Sequence, residues 1–366
     1  MQFTVFDINQ AIKGKTHADV YRHLFDQVKI AEDGNLDAYY ITEHHFDPNY
    51  NLTPAPNVII GALSQRTSRI RLGVMTTVLP YHHPVRAASE IRTLDMLTNG
   101  RLDVAFGRGA IRLEQLGWGV PRAETSERFE ASFHVLKRLL TEYKVEKFES
   151  AWWKGENVII TPEATQKPYP PMWLTAVSET SSFKAGRLGL HCCTAFRSEE
   201  ERRGSIDNFR AGWEEFSPTG PAGLYQSMHM CYVAETEEEA RKSAQPQIQG
   251  WLDHFVRILS DRPVTNEEAS YETHKRVNQA LLDSSFKDLI DAGRIVFGTP
   301  DQCVEQLERM AASGVDVFQG YFQFAELDFE TSNRSLKLFC DEVVPRFKAR
   351  AAKKDQPAAR SAVAGR

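Results

Sequence analysis

The chain of 366 residues is notable first for what it lacks. No run of roughly 18 apolar residues occurs, so no segment is expected to cross a membrane as a helix. Cysteine is scarce. The five, Cys192, Cys193, Cys231, Cys303 and Cys340, follow no Cys-x-x-Cys spacing and read as reduced thiols. No Gly-x-Gly-x-x-Gly follows the first strand-like run, which argues against a Rossmann dinucleotide site, and no Gly-x-x-x-x-Gly-Lys-Ser/Thr marks a P-loop. No Gly-x-Ser-x-Gly carries a nucleophile. Positive charge is not in excess: the net charge is −5, and no basic stripe suits a nucleic acid. The opening Met-Gln-Phe-Thr-Val-Phe has no charged leader or apolar run, so no signal peptide and a cytoplasmic setting are expected.

What is present is an alternation of two periodicities. Strand-like runs fall at 2–6, 38–42, 70–76, 102–106, 172–176, 191–195, 228–234 and 317–323. Helical spacing falls between them, at 18–32, 58–65, 86–97, 123–143, 178–186, 199–216, 237–250 and 300–313, with a last helix at 331–347. A short apolar run at 295–298 precedes the helix at 300–313. Strands alternating with helices imply parallel β-α-β units, and eight of them at this length favour a closed (β/α)8 barrel, the TIM barrel, over an open sheet. Two stretches break the rhythm. Residues 145–170 read as a hairpin excursion after the fourth strand. Residues 250–294, polar and charged, read as an insertion after the seventh and a candidate lid. One domain over 1–347 is expected, with a disordered tail at 348–366 rich in Ala, Lys and Arg.

In such a barrel the reactive groups come from the C-terminal strand ends. Glu43-His44-His45-Phe46 follows the second strand at once. Histidine suits proton transfer near neutral pH. The plainer reading is a pair of histidines that fill a loop. A second cluster, Tyr81-His82-His83-Pro84-Val85-Arg86, follows the third strand. Neighbouring side chains on extended backbone point to opposite faces, so each histidine pair offers at most one ligand to a common centre, and no metal is expected. Gly107-Arg108-Gly109-Ala110 follows the fourth strand and lets a guanidinium and bare backbone approach an anion. Ala176-Val177-Ser178-Glu179-Thr180-Ser181-Ser182 follows the fifth, where a helix N-terminus and small hydroxyls suit a phosphate or simply cap the helix. Arg128 offers a second positive charge there, or is an exposed helix arginine.

These segments, in this order, resemble the bacterial-luciferase-like family of flavin-dependent monooxygenases. The resemblance rests on Glu43-His44-His45-Phe46, on Val-Leu-Pro-Tyr-His-His-Pro-Val-Arg at 78–86, and on Gly100-Arg101-Leu102 leading to Arg108-Gly109. It rests also on the Ser-rich start at 176–182 and on Phe297-Gly298-Thr299-Pro300, and it spans about 1–347. It implies a barrel that binds FMN, as FMNH2, at its mouth. His44 would be the acid/base, with Glu43 and His45 beside it. Arg108, Ser178, Ser181 and the backbone of Glu179 would hold the phosphate, with Ala176 and Arg128 nearby. Thr76 would lie under the ring, after a non-prolyl cis peptide at Met75–Thr76. Phe46, Tyr81, His83, Ile111 and Trp118 would line the substrate pocket.

The resemblance further implies a two-component enzyme. A separate flavin reductase supplies FMNH2, O2 adds to give a flavin C4a-(hydro)peroxide, and one oxygen atom enters a small organic substrate; a homodimer is also implied. Two departures stand out. Luciferase's reactive cysteine is Gly107 here and an active-site tyrosine is Ile111, so light emission from a long-chain aldehyde is not expected. Three alternatives stay open: an F420-dependent oxidoreductase of the same superfamily, a non-catalytic flavin-binding subunit, and a barrel hydrolase using a carboxylate pair.

Overall fold

A computed structural model describes residues 1–260 and 279–354. Eight parallel strands close on themselves: β1 (Gln2–Asp7), β2 (Ala38–Ile41), β3 (Arg71–Val78), β4 (Leu102–Gly107), β5 (Met172–Thr175), β6 (His191–Ala195), β7 (Tyr225–Val233) and β8 (Val317–Tyr321). β8 pairs with β1 through Gln2↔Val317, which completes the circle. Helices follow the strands and pack outside, so the expected TIM barrel is what forms.

The two faces of each strand meet different environments. Inward residues from six strands, among them Tyr40, Met75, Ala105, Trp173, Cys193 and Val317, pack together inside the barrel. Outward residues such as Val5, Leu72, Val104 and Phe318 join the larger cluster under the helices. The helices start on caps that the sequence supplies. Thr16, Ser178, Ser198 and Thr299 each accept from the backbone N–H three residues on, which returns a side-chain bond to the cap. All five cysteines are free and buried.

The hairpin expected after the fourth strand is there, as Val145–Glu149 against Lys154–Val158, with Lys147 opposite Glu156. An unexpected short helix, Arg112–Gly117, lies between β4 and the helix Thr125–Thr141. β7 begins three residues earlier than its apolar pattern suggests. Its extra residues include Gln226, buried inside the barrel against Met75 and Cys193, and Ser227, buried on the outer face. Ser227 and His229 bond each other at 2.7 Å, and His229 Nδ1 meets the Arg294 carbonyl at 2.8 Å, so these polar groups are satisfied without breaking the strand. The short strand Val296–Gly298 adds to the outer half of β7.

The C-terminal helix runs further than expected. It runs as Phe329–Leu338, a wide π turn at Phe339–Val343, then Val344–Lys354. Pro345 has no N–H to return to the preceding turn, which accounts for the widening. Residues 348–354 are therefore helical, not the start of a disordered tail; the remainder, 355–366, lies outside the described residues. Of the expected insertion at 250–294, a helix reaches Ser260 and another covers Phe286–Asp291, and 261–278 lies outside the described residues. Among the described residues no helix is long and apolar enough to cross a membrane.

Candidate active site

The C-terminal ends of the strands open into one cavity of about 920 Å³. It gathers most of the segments singled out above. Glu43, His44, Thr76, Arg108, Ile111, Ala176, Ser178, Glu179 and Ser181 all line it. The Met75–Thr76 peptide is cis, as expected.

His44 stands at the end of β2 with its Nδ1 2.8 Å from Oε1 of Glu114. The same carboxylate oxygen accepts the backbone N–H of His45 at 3.0 Å. Glu114 is buried, while His44 keeps part of its ring exposed to the cavity. An imidazole whose Nδ1–H is held by a carboxylate has its tautomer and orientation fixed, and Nε2 is left for proton exchange. The Tyr50 ring lies 5.0 Å from the His44 ring and limits its swing. The sequence reading missed Glu114. It lies 70 positions from His44, in the first turn of the unexpected short helix, and its one signal is an acidic residue at a helix N-terminus close after a barrel strand.

Glu43 has a different part. Its Oε1 accepts from Nε2 of His45 at 2.9 Å and Nε2 of His82 at 2.7 Å, and its Oε2 accepts the Val78 N–H at 2.9 Å. Burial alone would raise this carboxyl, but the bonds from His45 and His82 hold it at about 2. For His82 burial alone would lower the value, and the Glu43 carboxylate outweighs it and raises it. Glu43 is thus a fixed anion that clamps the ends of β2 and β3.

Six predicted positions do not line the cavity. His45 is buried against Glu43 and the edge of Trp118, so it supports the wall and does not face a reactant. Phe46, Tyr81 and Trp118 pack on one another behind that wall, with Tyr81 and Trp118 stacked at 5.9 Å. Phe46 takes a left-handed backbone, φ 67°, which turns its ring outward over Gly117. His83 caps the helix Pro84–Leu97 by accepting the Val85 N–H and touches Trp153 of the hairpin at 4.8 Å. The inward histidine of that pair is His82. The 3-10 turn Leu79–Tyr81 accounts for the choice, because it rotates the chain after β3 and overrides strand alternation. Arg128 lies over the Trp153 ring at 5.3 Å, on the hairpin side of its helix.

The other end of the cavity is built for an anion. Ser178 caps the helix Glu179–Arg187, with Ser178 and Ser181 closing a reciprocal box. The first-turn N–H groups of Glu179 and Thr180 have no partner within the helix. Arg108, Arg122, Lys184 and Arg197 line the same end. Lys184 is shared with Glu130 at 2.5 Å, and Arg197 donates to the Val177 carbonyl. The backbone comes close here because glycine allows it. A Cβ on Gly107 would sit 2.5 Å from the Thr76 methyl, and Gly109, at φ 79°, would meet Tyr81 and Val78. Thr76 and Thr175 bond each other across the floor.

A cationic helix start after β4 and β5, a histidine–carboxylate pair after β2 and a floor at the end of β3 agree with a barrel enzyme of the luciferase-like class. The family model described as luciferase-like monooxygenase matches residues 1–317, and the chain belongs to that family. It is 24% identical to the oxygenase component of the flavin-dependent trigonelline monooxygenase of Acinetobacter baylyi, over 95% of this chain and 96% of that one. The oxygenating constituent of 3,6-diketocamphane monooxygenase from Pseudomonas putida, solved in complex with FMN, has the same fold. Its TM-score is 0.78 at 16% identity, covering 94% of this chain and 98% of that one. An F420-dependent secondary alcohol dehydrogenase also shares the fold, at TM-score 0.74 and 16% identity, over 94% and 98% of the two chains.

Proposed function

We propose that the protein is the oxygenase of a two-component FMNH2-dependent monooxygenase, which places one atom of O2 in a small organic substrate while a separate reductase supplies the reduced flavin. The observation that carries this reading is the His44–Glu114 pair in the same cavity as the Ser178 helix start and Arg108. A phosphate-bearing flavin fits the donors present. The first-turn N–H groups, the Ser178 and Ser181 hydroxyls and the Arg108 guanidinium would hold the phosphate. Thr76 and Ala176 would bear on the ring system. When bound, reduced FMN supplies the electrons that activate O2.

The remaining work falls to the chain. His44 takes or gives a proton at Nε2, and Glu114 keeps that nitrogen presented and stabilises the imidazolium when it forms. The apolar wall excludes water, which would otherwise divert the reduced flavin to peroxide release. The named relatives, a flavin-dependent oxygenase component and an FMN-bound monooxygenase, support FMN and a reductase partner. The F420-bound neighbour favours a second reading, a hydride-exchanging enzyme that leaves O2 untouched.

Titration with FMNH2 and with reduced F420, followed by oxygen consumption with an electrode, tests both. Tight FMNH2 binding with substrate-linked oxygen uptake supports the oxygenase; F420 binding without oxygen uptake selects the alternative. A homodimer is part of the proposal. It is supported by Val58, 73% exposed, and by Met96 and Leu97, also exposed, on the adjoining helices Pro56–Ser64 and Pro84–Leu97. Light scattering at twice the chain mass is the expected result.

A further inference from the structure

The cavity is divided by chemistry. Its cationic lining, Arg108, Arg122, Lys184 and Arg197, comes from the loops after β4, β5 and β6. The opposite side, built by β1, β7, the loop after β2, the residue just after β6 and the helix Glu237–Ser260, is apolar and aromatic. Phe6, Tyr50, Phe196 and Trp251 line it, together with Ile8 and Met228. They belong to one continuous apolar cluster. Around the cavity its rings meet at angles: Phe196–Trp251 at 5.3 Å and 54°, Trp251–Tyr321 at 5.6 Å and 68°, Phe6–Tyr321 at 5.6 Å and 85°. Rings crossed in this way present both edges and faces toward the space between them, the geometry that receives another ring. Met228 beside them adds a sulfur that adapts to an aromatic guest.

The charges at this end are negative. Glu43 and Glu114 both line the cavity next to His44, and Tyr50 links them to the aromatic wall through its contact with the His44 ring. A carboxylate on the substrate would be buried against two carboxylates, which is costly. A cavity of about 920 Å³ lies at the top of the range for one drug-sized ligand. With a flavin at the cationic end, the aromatic end has room for one compact guest and not for an extended chain.

We infer that the aromatic end of the cavity is a substrate subsite for a compact, uncharged ring compound, aromatic or alicyclic, whose reacting carbon is presented beside His44. This rests on the flavin reading above for the identity of the other occupant. Trp251 is the residue that sets the selectivity, because it touches both Phe196 and Tyr321 and closes the ring of aromatics.

The experiment uses the full chain loaded with FMN and three probes of equal carbon number: acetophenone, octanal and phenylacetate. Binding is read from the perturbation of the bound flavin's absorbance, and coupling from hydrogen peroxide released per O2 consumed after reduction of the flavin. Acetophenone is expected to bind tightest and to lower the peroxide yield, octanal to bind more weakly, and phenylacetate not at all. Trp251→Ala is expected to weaken acetophenone by about tenfold, the loss of one buried aromatic anchor, while Trp251→Phe stays within about threefold of the parent. Tighter binding of octanal or phenylacetate than of acetophenone, or equal acetophenone affinity in Trp251→Ala, would overturn the inference. So would equal weakening in the Ala and Phe variants. If FMN itself does not bind the unaltered chain, it is the flavin reading that fails, a result separable from all of these.

Discussion

Nδ1 of His44 and Oε1 of Glu114 lie 2.8 Å apart, although 70 residues separate them along the chain. The barrel brings them together by placing the ends of β2 and β4 on one rim. The buried carboxylate fixes one nitrogen of the imidazole and leaves the other toward the cavity. His44→Ala should therefore lower kcat by about 10² to 10⁴, the usual weight of a positioned proton-transfer group, with FMN affinity kept. Glu114→Gln should lower kcat by roughly tenfold with FMN affinity kept, since the imidazolium that forms during turnover loses its counter-charge. An unchanged kcat in Glu114→Gln would contradict the positioning role.

Of the two histidines after β3, His82 is the one bonded to Glu43. His83→Ala should leave kcat unchanged and affect only the contact with the hairpin at Trp153. Steady-state rates of the His82→Ala and His83→Ala variants, compared side by side, check this. Loss of turnover in His83→Ala alone would reverse the assignment.

Glu43 predicts a dependence of stability on pH. Its folded value of about 2 lies below the ordinary 4.5, so its contribution is complete above pH 4.5 and is lost as pH falls toward 2. The shift corresponds to about 3 kcal/mol. His82 has the opposite sign. Its folded value is raised, so its contribution is present below the ordinary 6.5 and disappears as pH rises through the higher folded value. Thermal melts from pH 7 down to pH 3 should show Tm falling more steeply for the parent than for Glu43→Gln, which should already be destabilised at pH 6. Parallel curves would show that the clamp contributes nothing.

Gly107 stands where a side chain has no room, since its Cβ would lie 2.5 Å from the Thr76 methyl. Gly107→Cys, which installs the thiol of the luciferases, should cost about 1–3 kcal/mol through overpacking and weaken FMN by displacing Thr76. Denaturant unfolding and flavin titration of this variant measure both effects. Unchanged stability and affinity would mean that the floor yields freely.

These expectations show what a lone sequence conveys. The alternation of strands with helices was readable because outward strand faces and helix stripes are both apolar, as in Val5, Leu72 and Phe318. The start of β7 was hidden, because its buried residues there are polar: Gln226 meets Met75 and Cys193 inside the barrel, and Ser227 bonds His229 on the outer face. His44, Arg108 and Ser178 were legible as ordered motifs at strand ends. Glu114 was not, since its relation to His44 exists only once the barrel has closed. His83 was mistaken for His82 because a single 3-10 turn resets which neighbour faces inward. Phe46, Tyr81 and Trp118 are aromatic residues close to the mouth in sequence, yet they satisfy each other and stand behind the wall.

The phosphate end makes its own prediction. If the proposed cofactor site holds, the Ser178 helix start and Arg108 should distinguish FMN from riboflavin, which differs by the phosphate alone. The parent should bind FMN more tightly than riboflavin. Arg108→Ala should remove about 1.5–3 kcal/mol of that difference, the worth of a charge-assisted hydrogen bond. Ser178→Ala should reduce it less and also lower stability by about 1 kcal/mol, because the cap is lost. Isothermal titration with both ligands gives the difference directly; a parent that binds the two equally would remove the phosphate from this end of the cavity.

In the proposed function this cavity takes up reduced FMN and governs its reaction with oxygen. The most direct measurement mixes the protein, preloaded with FMNH2 under anaerobic conditions, with air-saturated buffer and follows the return of oxidised-flavin absorbance by stopped flow. Oxidised flavin should return more slowly than from free FMNH2, and the delay should be altered in His44→Ala. Return at the rate of free FMNH2, with no difference between the parent and His44→Ala, would contradict it.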